Sequence, residues 1–134
     1  MTAQNNKSEY MLIFRGNDWC KELSPEEMQT VANQWMAWFN RLSEQGKALA
    51  GNPLEPEGRM VTGKRDGVVA DGPFAESKEA IGGYFLLSVK NFDEAVAIAK
   101  ECPGLKYGAK VEVRQVAEMC PMAKAAEAQL AAQA

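Results

Sequence analysis

Histidine is missing from all 134 residues, and with it the side chain that most often acts as a general base near neutral pH and as a metal ligand. Serine–histidine and cysteine–histidine nucleophiles and histidine-based zinc sites are therefore excluded. Cysteine is scarce: Cys20, Cys102 and Cys120 are odd in number and show no C-x-x-C spacing. That usage fits reduced thiols better than a disulfide framework, and so points to the cytoplasm. No apolar run approaches the roughly 20 residues that a bilayer span requires, and the polar stretch MTAQNNKSE lacks the apolar segment of a signal peptide. Neither a membrane location nor export is expected. Basic clusters are absent as well: 15 Lys and Arg are scattered among 18 Asp and Glu, for a net charge of -3. A nucleic-acid partner is not expected of such a surface. There is no internal repeat, and a composition of 46% hydrophobic and 25% charged residues is that of one globular domain.

What is present is a regular succession of elements. YMLIFR at 10–15 is nearly all apolar, the pattern of a strand covered on both faces. Ser24, Pro25 and Glu27 combine a cap hydroxyl, a first-turn proline and a capping-box carboxylate, so a helix starts there. Its apolar stripe reads Met28, Val31, Ala32, Trp35, Phe39 and Leu42, with Met36 and Trp38 at the margins, and Gly46 supplies the stop after about Gln45. Trp35, Phe39 and Met28 are expected in the core, while Trp19 and Trp38 are candidates for lining a cleft or an interface.

Segments 47–54 and 60–64 are candidate strands, with a tight turn at Asp66-Gly67. A second turn at Asp71-Gly72-Pro73-Phe74 leads through a polar stretch to a strong strand, IGGYFLLSV at 81–89, whose apolar residues occupy both parities. Gly82-Gly83 reads as a bulge or a close backbone approach, because it precedes a strand rather than a phosphate-binding helix. Asn91 caps another helix that ends at Cys102-Pro103-Gly104, and a last strand spans 110–116. The order is that of an α+β, ferredoxin-like βαββαβ sandwich with both helices on one sheet face. Residues 1–9 form a polar leader, 10–117 the domain, and 118–134 an alanine-rich helical tail that needs the body or a partner to pack on. A sheet covered on one side only cannot account for apolar residues of both parities, so a homodimer through the opposite face is expected.

The segment DGPFAESKEAIGGY at 71–84, followed by SVKNFDEAVAIAKECP at 88–103, resembles the YCII-related family, in the branch named for its DGPF motif. YMLIF at 10–14, LSPEE at 23–27 and EVR at 112–114 extend the resemblance over most of 10–116. It implies a dimeric α+β barrel with a cleft at each sheet, and no settled activity. Relatives similar to YciI itself carry a histidine–aspartate pair tied to catalysis, which this chain cannot form. Gln115 stands where related chains tend to have proline.

Candidate site residues follow from turn and strand geometry. The DGPF turn either is turn chemistry alone or aims Asp71, Glu76 and Glu79 into the cleft, with Phe74 beside them as a ligand contact, where a partly desolvated carboxylate serves as base or orients a ligand. Glu112 and Arg114 share one parity of the last strand and Val111 and Val113 the other. The charged pair then lies on the cleft side, where Arg15 and Tyr84 add a cation and a hydroxyl. Either a small-anion pocket or a structural salt bridge results. Asp71, Glu76 and Glu79 match no metal-loop spacing, and neither a metal nor a cofactor is expected. The leading reading is a homodimer that binds a small, anionic molecule. Its rivals are a histidine-free lyase or isomerase with Asp71 as the acid–base group, and a protein-interaction or transcription-associated regulatory domain.

Overall fold

Alternation along the first strand decides the layering of the whole domain. The computed structural model describes residues 6–16, 18–61, 63, 69–71 and 80–133, with the backbone alone at 69–71. Strand β1 spans Ser8–Arg15; Tyr10, Leu12 and Phe14 are buried, and Met11, Ile13 and Arg15 lie half-exposed on the other parity. It begins at Ser8 rather than Tyr10 because Ser8 pairs with Val89 and the Glu9 carbonyl accepts from the Val116 amide at 2.8 Å. Polar residues at a strand end keep their ladder bonds, which an apolar-run criterion does not see.

Helix α1 runs Pro25–Glu44. Ser24 Oγ accepts from the Glu27 amide at 3.1 Å while the Glu27 carboxylate accepts from the Ser24 amide at 2.9 Å, so the capping box is complete. At the far end Gly46 takes φ +75, its amide bonds the Ser43 carbonyl, and the Lys47 amide bonds the Leu42 carbonyl. That is a Schellman closure, for which a residue without Cβ is the natural choice. The buried face is rotated from the sequence expectation. Val31, Trp38 and Leu42 are buried, Trp35 and Phe39 pack partly against the core, and Met28 is 41% exposed. Trp38 is thus a core residue at 2% exposure, its indole N–H donating to Glu101 Oε1 at 3.1 Å. A large indole with a satisfied donor gains more from burial than a thioether near a helix start.

The remaining elements are β2 (Ala48–Pro53), β3 (Arg59–Val61), β4 (Val69–Asp71), β5 (Ile81–Val89), α2 (Phe92–Ala99), a 3-10 turn (Leu105–Tyr107), β6 (Lys110–Gln115) and α3 (Pro121–Gln133). The main sheet is four-stranded and antiparallel in the order β2-β5-β1-β6, whereas β3 and β4 form a separate two-stranded ribbon. The ferredoxin-like pattern is made by β1, α1, β2, β5, α2 and β6, with the ribbon inserted between β2 and β5. The expected strand at 60–64 is therefore not a sheet member but half of that insertion, and residues 62 and 64 lie outside the described ones. Register slips between Phe14 and Arg15, so that Gly82 is the bulge read from Gly82-Gly83. A Cβ at Gly83 would stand 2.8 Å from the Asn52 carbonyl oxygen, which is the close backbone approach.

The core lies on one side of the sheet, where Leu12, Phe85, Leu87 and Val89 meet Trp38 and Leu42 of α1 and Ala95, Ile98 and Ala99 of α2. Helix α3 has no buried residue, and Met122 and Leu130 stand 78% and 66% exposed. The tail does not pack on the body among the described residues. Among those residues, no helix is long and apolar enough to cross a membrane.

Candidate functional site

Sheet alternation sends a second set of residues to the face away from the helices. Ile13 lies opposite Tyr84 on β5 and Glu112 on β6, and Met11 lies opposite Leu86 and Arg114. Cross-strand partners point the same way, so these residues share one open face with Arg15. Val111 and Val113 pack against the core instead, as the alternation of β6 requires.

Among the described residues, three charged groups converge there. Arg15 donates from Nε at 2.9 Å and from Nη2 at 2.6 Å to Glu112 Oε1, and Arg114 Nη1 donates to Glu112 Oε2 at 3.1 Å. Both carboxylate oxygens are thereby occupied. The Arg15 hydrogen bonds first, and the Arg114 bond second, hold the Glu112 carboxyl below its ordinary value. A carboxylate so stabilised is a poor proton acceptor, and its evident work is to orient two guanidinium groups. Arg15 and Arg114 thus flank the same carboxylate. Arg15 is the more enclosed partner at 30% side-chain exposure, while Arg114 is tethered by one bond and 68% exposed.

Tyr84 is on the same face but does not join the cluster. Ile13 separates it from Glu112, a distance of two strand spacings or roughly 10 Å, and its hydroxyl accepts from the Asn52 amide at 3.4 Å. Asp71 is the last residue of β4 and pairs with Arg59; its side chain lies outside the described residues. Phe74, Glu76 and Glu79, and with them the DGPF turn beyond Asp71, also lie outside them. The structure thus brings together Arg15, Glu112 and Arg114 from the candidate set.

On the helix side of the sheet is a feature that sequence reasoning did not assemble. A pocket of about 540 Å³ opens between α1, the connection after β1, and the ends of β2 and β5. Phe14, Trp19, Trp35, Phe39 and Phe85 form its walls. Trp35, expected in the core, is half-buried and stacks on Trp19 with ring centroids 6.0 Å apart and 19° between planes. The signal available was Trp19 itself, an indole in a connection rather than on a helix stripe. What the sequence does not encode locally is the separation of α1 from the sheet.

Cys102 is buried and free, and burial pushes its thiol above the ordinary value; Cys20 is half-buried and Cys120 exposed. Among the described residues, no group of three or more carboxylate or cysteine side chains converges to hold a metal.

No curated protein is similar enough in sequence to count as a relative. Among solved structures the chain is similar to 5-chloro-2-hydroxyhydroquinone dehydrochlorinase from Burkholderia phenoliruptrix AC1100 in complex with 2,5-dihydroxybenzoquinone. The two are 19% identical, with 82% of this chain and 95% of that chain covered, at a TM-score of 0.44. Similarity that low transfers neither activity nor site geometry. The model of the YCII-related domain matches residues 9–120, and the chain belongs to the YCII-related family.

Proposed function

We propose that the protein is a cytoplasmic homodimer of the DGPF-motif branch, paired through its open sheet faces into an α+β barrel, and that each cleft binds a small anionic molecule. One observation carries the reading: half-exposed Met11, Ile13 and Leu86 share a face with the Arg15–Glu112–Arg114 cluster. Apolar side chains in the middle of a sheet call for a covering surface. A charge cluster enclosed by that surface loses solvent screening, which strengthens its hold on an anion. Arg114 has the donors for a carboxylate or phosphate, and Arg15 shares with it the Glu112 carboxylate that orients both.

Asp71 enters as the acid–base group of the histidine-free lyase or isomerase reading, or as a hydrogen-bond acceptor for the ligand. The experiment is a thermal-shift screen of inorganic phosphate, oxalate and longer dicarboxylates, followed by calorimetric titration of the best stabiliser. Replacing Arg114 with Gln is expected to weaken binding by about tenfold or more, the loss of a charged hydrogen bond. Asp71→Asn tests the turn separately. Affinity unchanged in both variants, with the dimer intact, contradicts the site.

A further inference from the structure

The pocket under α1 lies across the sheet from the charge cluster, because Phe14 and Phe85 in its wall belong to the parity that faces the helices. Its volume, about 540 Å³, is within the range of small-molecule sites, roughly 300–1,000 Å³. We infer that it is a second binding site, for a neutral, planar aromatic molecule held against the Trp19–Trp35 stack.

The ligand class follows from the lining. Among the described residues that line it there is no charged side chain, and Asn40, Asn52 and Cys20 are the polar ones. An ionised ligand would be desolvated there without a counter-charge from the described lining, which is costly. Ring faces and edges from Trp19, Trp35 and Phe39 favour an aromatic guest, since offset stacking and edge contacts add to area burial.

The walls are held in place by close backbone approach. A Cβ at Gly104 would come within 3.0 Å of Trp19 Cη2 and 3.1 Å of Trp35 Cζ3, so the indole stack is seated directly on the chain after α2. A Cβ at Gly51 would stand 2.7 Å from Phe85 and 2.8 Å from Phe39. Glycine at both positions allows aromatic rings to lie against backbone, a wall formed before any ligand arrives. The exposed helix of a second copy is a poorer occupant. Helix α3 offers Met122 and Leu130 eight positions apart with alanine and polar residues between them, not the anchors at i, i+3 or i+4, and i+7 that a groove-binding helix presents.

The test uses N-phenyl-1-naphthylamine, a neutral probe whose emission rises and shifts to the blue in apolar surroundings. The full chain is expected to bind one probe per protomer, saturably, with quenching of tryptophan emission. Trp19→Ala removes half of the stack, and Ala32→Trp fills the mouth from an exposed position on α1. Each is expected to weaken binding by about tenfold or more. Should Trp19→Ala fail to fold, Ala32→Trp carries the test. The inference is overturned by an absence of saturable binding, by wild-type affinity in the folded variants, or by binding that vanishes in Arg114→Gln, which would place the probe on the open sheet face. It is likewise overturned if raising the protein concentration expels the probe, because a second copy would then be the occupant.

Discussion

Glu112 stands between two guanidinium groups, and its behaviour in acid follows from that position. Its folded-state pKa lies below its ordinary value, so the stability it contributes is complete above 4.5 and is lost as pH falls through the depressed folded value. Glu94 has the same sign: the Lys90 backbone hydrogen bond leads its depression, with Lys47 adding to it. Glu112→Gln is therefore expected to lower the melting temperature at pH 7 and to narrow the gap from wild type below pH 4; melting curves across that range check it. A gap that widens in acid would contradict the pairing. Thiol reactivity is the second readout at this scale. Burial both hides the Cys102 sulfur and disfavours its thiolate. A colorimetric thiol titration of the native protein should find Cys120 fast, Cys20 slower and Cys102 only on denaturation.

Among the elements, α1 is held by closures at both ends, and each can be removed separately. Ser24→Ala takes away the cap acceptor and should cost about 1 kcal/mol. Gly46→Ala forces a side chain into φ +75 and should cost about 1–2 kcal/mol. Denaturant midpoints measure both, and a neutral Gly46→Ala would count against the Schellman closure. These ends were legible in the sequence because caps are local: Ser24, Glu27 and Gly46 declare themselves within one turn. The buried face was not. Apolar residues from Met28 to Leu42 cover a wide arc of α1, and which of Trp35 and Trp38 is interior depends on where the sheet lies. The same division holds for the site. Alternation along EVR placed Glu112 and Arg114 on the open face, whereas the α1 pocket arises from a gap between elements that no spacing records.

For the molecule as a whole, the proposed function turns on the open sheet face. Met11, Ile13 and Leu86 are half-exposed at its centre while the charge cluster sits beside them. On the proposed reading, tight pairing of two such faces buries the apolar patch and encloses the Arg15–Glu112–Arg114 cluster; a monomer does neither. Sedimentation velocity at micromolar concentration is the most direct test. Wild type should sediment at twice 14.7 kDa, and Leu86→Glu, which puts a charge in the middle of the paired faces, should sediment as a folded monomer. A wild-type monomer, or a Leu86→Glu dimer as tight as wild type, would contradict the account.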